Sequence, residues 1–483
     1  MKKDSLLKFL AIALSALFIF IACEEENNSG DKNYAIISLS ADGSTGEKTT
    51  KLLFTVNDDN LDLTADDIKI NAGFFVIKGD LTKTGAMTYT LLITSGKTGL
   101  IRVGLDPYRG FTRWNAKSAD IYADWCFTGT SELVITGKDI LDSSIIIPSL
   151  IAGVPVSSIG VDAFYNKQLT AVTIAENITA IGNNAFIYNQ LTTIEIPESV
   201  TSIGHAAFAY NRITNVTVSE NITYIGDNAF SHNYLSVFTI PKNITSIGNY
   251  AFAYNRLTTI EIPENVTIIG NGAFSYNQLS DITIPEKVIT IGNIAFAYNH
   301  LKTISISEGV VRIGDNAFSY NQLSEFNIPK SVTTIGSSAF SNNKLNEIII
   351  PDEVEIIGSN TFFNNQLTKV TISEKAISIG NSAFEYNKLS EITIPDSVRV
   401  INVHAFFNNL LTSITIGENV TLSDLSFGGG FEKAYNDNDK KAGIYTRPDT
   451  DSNDWTWTEI DDGNGEGDGE GDGDGEDGEK EEE

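Results

Sequence analysis

The chain has 483 residues, and its 62 acidic against 33 basic side chains give a formal net charge of −29. That length suits about three domains, and the charge excludes a nucleic-acid face, which needs clustered Lys and Arg. Two cysteines, Cys23 and Cys126, provide no disulfide framework.

In chain order, residues 1–22 read as an export signal. Lys2 and Lys3 precede an apolar stretch of 14 residues from Phe9 to Ala22, too short for a spanning helix, which needs about 20. The ending Phe20-Ile21-Ala22-Cys23, followed by Glu24, Glu25 and Glu26, resembles a bacterial lipoprotein box. The resemblance implies lipidation of Cys23, a tether over 23–32, and an exported protein held to the outer membrane and facing the cell surface. The plainer alternative is an ordinary signal peptide with a chance cysteine.

From 33 to 124 alternating segments such as Ala35–Leu39, Lys51–Val56, Thr88–Thr94 and Leu100–Leu105 are separated by Gly-, Asp- and Asn-rich turns. This spacing predicts a small antiparallel β-sandwich. Leu63-Thr-Ala-Asp-Asp-Ile68 and Tyr89-Thr-Leu-Leu-Ile93 resemble immunoglobulin-like domains of bacterial surface lipoproteins, which implies a spacer role. Residues 125–158 form an irregular cap, with strands expected at Leu133–Thr136 and Ser144–Ile147.

One sentence of sequence is then repeated over 159–425. A Phe recurs every 22 residues, twelve times, from Phe164 to Phe406. A fixed period in this range predicts a solenoid whose units cannot fold alone and must stack. Positions are counted here from that Phe. Apolar residues at +5, +8 and +10 predict one short strand per unit, and these strands a parallel sheet along one side. Pro at +11 in seven units ends the pairing, and Val200, Ile203 and their equivalents turn the chain back over the core. Gly at −4 in eleven units, replaced by Asn402 in the twelfth, suggests a positive-φ position. Asn at +3 in eleven units suggests a ladder of side-chain amides bonded to the backbone of adjacent coils. After 425 the period fails, and aromatic residues in 426–460 are expected to close the core. Residues 461–483 carry 13 acids and one Lys and are expected to be a disordered acidic tail. Its Asp468-x-Glu470-x-Asp472-Gly473 run has EF-hand-like spacing without flanking helices, so no metal site is assigned.

The unit Leu-x-x-Ile-x-Ile-Pro-x-x-Val-x-x-Ile-Gly-x-x-Ala-Phe-x-x-Asn resembles the treponemal-type leucine-rich repeat of BspA-like surface proteins. The fold expected is therefore mainly β, a leucine-rich repeat solenoid preceded by the sandwich. The resemblance implies adhesion through binding of extracellular protein, such as fibronectin or fibrinogen, host cells or other bacteria. The alternative is a structural or scaffolding envelope lipoprotein without a host ligand.

Two rows of residues are the candidate ligand-binding surface. At +2 stand Tyr188, Tyr210, Tyr254, Tyr276, Tyr298, Tyr320 and Tyr386, large amphipathic side chains of the kind enriched in interfaces. On the strand, at +7 or +9, stand Glu195, Glu261, Glu325, Glu347 and Glu391. Carbohydrate binding is favoured if the Tyr row is solvent-exposed. No catalytic constellation emerges: His205, His232, His300 and His404 fall at four different phases, and no HExxH or Gly-x-Ser-x-Gly arrangement is present. An enzyme is therefore not expected, and no cofactor is implied.

Overall fold

A computed structural model describes residues 132–138, 143–151 and 154–460, together with the backbone of eight strands between Ile36 and Thr128. Residues 1–32, where an export signal, Cys23 and a tether are expected, and 461–483, the expected acidic tail, lie outside the described residues. Seven of those strands make two antiparallel sheets. One has the order Ile36–Ala41, Lys51–Val56, Thr88–Ser95, Val76–Lys83, and the other Ile68–Ala72, Gly99–Leu105, Lys117–Ile121. The eighth, Trp125–Thr128, makes an antiparallel pair with Leu133–Lys138.

The chain forms two compact units, residues 1–310 and 311–483. In both, each repeat is one coil with its apolar residues turned inward. The Phe rings at position 0 stack in a column, with centroids 5.2 Å apart at Phe164–Phe186 and 5.8 Å at Phe230–Phe252 in the first unit. In the second, Phe318–Phe340 stand at 5.6 Å and Phe384–Phe406 at 5.1 Å, and planes in all four pairs lie within 10° of parallel. Around the column pack Ala at −1 and the apolar residues at +5 and +14, nearly all fully buried, while those at +8 vary between buried and half-buried.

Most coils carry two strands where the sequence suggested one, although the coils of Phe230, Phe252 and Phe318 lack the strand at +7 to +9. The expected strand is present, for example Thr193–Glu195 paired in parallel with Asn215–Thr217, and Glu347–Ile349 with Lys369–Thr371. The more continuous ladder is built from two-residue strands at +16 and +17, the residues expected merely to turn the chain. In the first unit it runs from Leu133–Lys138 through Val154–Ile159, Ala180–Ile181 and Ser202–Ile203 to Thr290–Ile291. It forms because the residue after it is glycine and lets the next coil approach closely.

That glycine does not hold a positive φ. The left-handed residues of each repeat are those at −2 and +2, such as Ala206 at φ 51° and Tyr210 at φ 54°. The Gly column at −4 exists for contact: a Cβ on Gly226 would lie 2.8 Å from the carbonyl carbon and oxygen of Gly204.

The Asn ladder is present. Asn211 Nδ2 donates to the carbonyls of Phe186 at 2.9 Å and Phe208 at 3.1 Å, while its Oδ1 accepts the Leu191 amide at 3.0 Å. The same three bonds recur at Asn343 and Asn365 in the second unit. Sequence reading missed a second ladder at −3, in which Asn249 N–H donates to Asp227 Oδ1 at 2.7 Å and Asn271 N–H to Asn249 Oδ1 at 2.8 Å.

The second unit is closed by aromatic residues. Phe427 extends the Phe column, 4.9 Å from Phe406, and a short helix, Phe431–Asp437, brings Phe431 and Tyr435 onto it. Tyr435 is buried, and its hydroxyl donates to the Gly417 carbonyl at 2.6 Å and accepts the Val420 amide at 3.1 Å. The strand Gly443–Thr446 then pairs antiparallel with Ser413–Ile416, ending the parallel stacking.

Candidate functional site

The turn that carries the Tyr row is fixed by hydrogen bonds between coils. The amides at −2, 0 and +2 each donate to the next coil: Ala206 to Asp227 at 2.8 Å, Phe208 to Ala229 at 2.9 Å, Tyr210 to Ser231 at 3.0 Å. A left-handed φ costs a bulky residue of order 1 kcal/mol, and these bonds hold it there. The result aims the side chain at +2 away from the core, at the same place in every coil.

In the first unit this makes a continuous aromatic stack. Ring centroids stand 4.6 Å apart at Tyr188–Tyr210, 4.1 Å at Tyr210–His232, 4.3 Å at His232–Tyr254 and 4.4 Å at both Tyr254–Tyr276 and Tyr276–Tyr298. His232 was absent from the sequence-derived candidates, although its phase, +2, is that of the tyrosines. The rings are half open to solvent, from 44% exposed at Tyr188 to 39% at Tyr276. Their faces cover one another, so the row presents ring edges and hydroxyls. Partial burial, and then the neighbouring phenols of Tyr298 and Tyr254, push the Tyr276 pKa up to about 12.

In the second unit the row is not a stack. Tyr320 and Tyr386 are exposed, but Asn342 and Asn364 hold the +2 position between them and bond to each other at 2.8 Å. Glu195 and Glu261 of the first unit, and Glu325, Glu347 and Glu391 of the second, are all exposed on the strand face. Lys369 stands in register with Glu347 on the neighbouring strand, an opposite-charge pair that offsets part of that acidity. The structure thus places the candidates in two rows, one on the turn and one on the strand, five to seven residues apart in each coil.

His205 and Asp227 show how a catalytic-looking pair is absorbed by the fold. His205 Nδ1 accepts the Asp227 amide at 3.2 Å and lies 3.6 Å from its carboxylate, as one rung of the −3 ladder. Among the described residues no group of three or more His, Cys, Asp or Glu is placed to hold a metal ion. No helix among them is long and apolar enough to cross a membrane.

Burial pushes the His232 pKa below its ordinary value. The unfolded chain therefore binds its proton more readily, and the first unit should lose stability as pH falls through about 6.5 towards that lowered pKa. Urea unfolding from pH 8 to pH 5 should show a downward step that His232→Tyr removes. An identical pH dependence in the two proteins would mean that the imidazole charges freely between Tyr210 and Tyr254.

Residues 142–256, 245–366 and 311–429 match the sequence profile of the BspA type leucine rich repeat region. The chain belongs to this family. Among solved structures it is similar to a leucine-rich repeat protein from Bacteroides ovatus, with 23% identity and a TM-score of 0.52 over 63% of this chain and 90% of that one. It is also similar to a leucine rich cell surface protein from Faecalibacterium prausnitzii, with 28% identity and a TM-score of 0.44 over 62% of this chain and 88% of that one. No curated protein shows significant similarity to the chain. The match to the BspA-type family spans the coils that carry both candidate rows.

Proposed function

We propose that this BspA-type repeat protein is a lipid-anchored adhesin of the bacterial surface, held by acyl chains on Cys23 and raised on an immunoglobulin-like sandwich at 33–124. Its array binds a protein ligand: extracellular matrix such as fibronectin or fibrinogen, a host cell surface, or another bacterium. The observation that carries this reading is the stacked row from Tyr188 to Tyr298. It is rigid, amphipathic and partly exposed, which lowers the entropy lost when a partner docks. The acidic strand positions supply a charge pattern complementary to a basic partner. The same stacking argues against a sugar platform, because sugar rings pack on aromatic faces and these faces are already covered.

The test is binding of the exported chain to immobilised fibronectin and fibrinogen, beside Tyr254→Ser/Tyr276→Ser and Glu347→Gln/Glu391→Gln variants. Saturable binding should weaken tenfold or more in the Tyr variant, and salt should weaken it through the Glu positions. No binding at micromolar concentration would sink the matrix-adhesin reading and favour a scaffolding role in the envelope. Lipidation is checked separately: Cys23→Ser should release the protein from membranes.

A further inference from the structure

One field of the first unit runs against the acidity of the chain. From +2 to +7 the four coils of Phe186, Phe208, Phe230 and Phe252 carry no Asp or Glu, although the chain has a formal net charge of −29. The fixed charges in this field are Arg212 and Arg256, both at +4, two residues beyond the aromatic row. Tyr234 holds +4 on the coil between them. The amides of all three tie each coil to the one before: Arg212 donates to the Leu191 carbonyl at 3.0 Å, Tyr234 to Ile213 at 2.9 Å and Arg256 to Leu235 at 2.8 Å. The backbone therefore sets the three residues side by side, and all three side chains are exposed.

The row is partly organised before anything binds. The Arg256 guanidinium lies over the Tyr234 ring, 4.3 Å from its centroid. Stacking of this kind restrains the planar fork while its N–H edges stay open to a carboxylate. Among the described residues Lys375 is paired with Glu353 and Lys433 with Asp437, but neither Arg212 nor Arg256 makes an ion pair. The carboxylates of these coils stand outside the field. Asp227, at −3, is engaged with His205 and the Asn249 amide. Glu195 and Glu261 follow at +9 on the strand, and Glu198, Glu220 and Glu264 at +12. Even +9 is five residues from +4, up to about 17 Å of chain. Exposed charges are largely screened beyond about 8 Å at physiological salt.

We propose that the row Arg212, Tyr234 and Arg256 receives an acidic segment of the partner protein, lying extended along the array with carboxylates at alternate positions. Coils about 4.8 Å apart put the two Arg backbones roughly 10 Å apart, and alternate side chains of an extended peptide project about 7 Å apart on one face. The long Arg stems close that difference, so each carboxylate meets one guanidinium fork. Arginine clusters recognise acidic segments in this way, and Arg and Tyr are the residue types that most often dominate an interface. The inference rests on the reading of the array as a protein-binding surface, and it adds +4 to the row at +2. The acidic strand positions then face basic residues of the same partner, and the two charge patterns together fix its orientation.

The probe is a capped, dye-labelled Ser-Glu-Thr-Glu-Ser peptide titrated into the full chain at low salt, with Ser-Gln-Thr-Gln-Ser and Ser-Lys-Thr-Lys-Ser as controls. Arg212→Gln and Arg256→Gln are the decisive variants, because Gln holds +4 in five other coils and the fold accepts it there. Their melting temperatures should match that of the parent. Saturable binding of the glutamate peptide is expected, weakened about fivefold by either variant and by more when both are combined. Neither control peptide should saturate. Arg256→Lys should recover only part of the loss, since an ammonium keeps the charge but not the stacked fork. Equal binding of the glutamate and glutamine peptides, unchanged binding by both variants, or no saturation at millimolar peptide would each overturn the proposal. So would Arg-dependent capture of a sulfated polysaccharide with no binding of the peptide. Glu347→Gln/Glu391→Gln, in the second unit, should leave the titration unchanged. A chain that takes the peptide but not fibronectin or fibrinogen sinks the matrix-adhesin reading alone, and the reverse result sinks this one alone.

Discussion

Gly248→Ala should destabilise the first unit by about 3 kcal/mol or more, beyond the usual cost of one methyl group in a packed interior. Its Cβ would lie 2.6 Å from the Ile225 carbonyl oxygen and 2.7 Å from both the Asp227 nitrogen and the Gly226 carbonyl carbon. All three are backbone atoms of the preceding coil, so no side chain can swing aside and the coils themselves must separate. Gly248→Asn should be no better tolerated than Gly248→Ala, which distinguishes a contact glycine from a left-handed one. Gly358→Ala, at the same phase but with its nearest neighbour at 3.2 Å, should cost under about 1 kcal/mol. Urea unfolding midpoints check all three. Equal losses at Gly248 and Gly358 would show that close approach is not what the column is for.

The second large effect is expected at Asn255. Its Nδ2 donates to the carbonyls of Phe230 at 2.9 Å and Phe252 at 3.1 Å, and its Oδ1 accepts the Leu235 amide at 3.0 Å. Truncation to Ala leaves the buried Leu235 amide without a partner and removes one of two amide donors from each carbonyl, since Phe230 still accepts from Asn233 at 3.2 Å and Phe252 from Asn277 at 2.9 Å; a loss of about 3 kcal/mol is expected. Asn255→Asp should be at least as damaging at neutral pH, because it turns a carboxylate towards two carbonyl oxygens. Asn364→Ala, on the exposed +2 row where the side chain bonds only to Asn342, serves as the control and should shift the midpoint little. Comparable losses at Asn255 and Asn364 would mean that the buried ladder contributes no more than a surface amide pair.

The core was legible because a strict 22-residue period forces every Phe, Leu and Asn to meet its own equivalent, so a property seen once is seen in every coil. Two features escaped that logic. The Gly/Asn402 exchange was read as a sign of positive φ, yet the left-handed positions are filled by Tyr, His, Asn, Ser and even Ile294. Inter-coil hydrogen bonds make that backbone affordable for any residue, so composition there carries no trace of it. The two-residue strands were read as turns because so short a pairing leaves no alternation to detect. Of the candidate residues, Tyr188 and its equivalents were found by phase, but whether their rings would splay, stack or bury is set by coil spacing rather than by sequence. His232 shows the limit: its phase marked it, but its residue type set it apart from the tyrosines beside it.

Within each unit the hydrogen bonds of the two ladders, of the turn and of Asn at +3 run mainly from one coil to the next. Pulled from its ends, such a stack loads one coil boundary at a time, and the outermost coil carries the least support. Each coil that peels away frees 22 residues, or about 70 Å of extended chain at roughly 3.3 Å per residue. A repeat protein stretched between a surface and something it holds would therefore lengthen in even steps and dissipate a sudden pull as work. Buried Phe and Asn columns within the remaining coils would keep the rest of each unit intact.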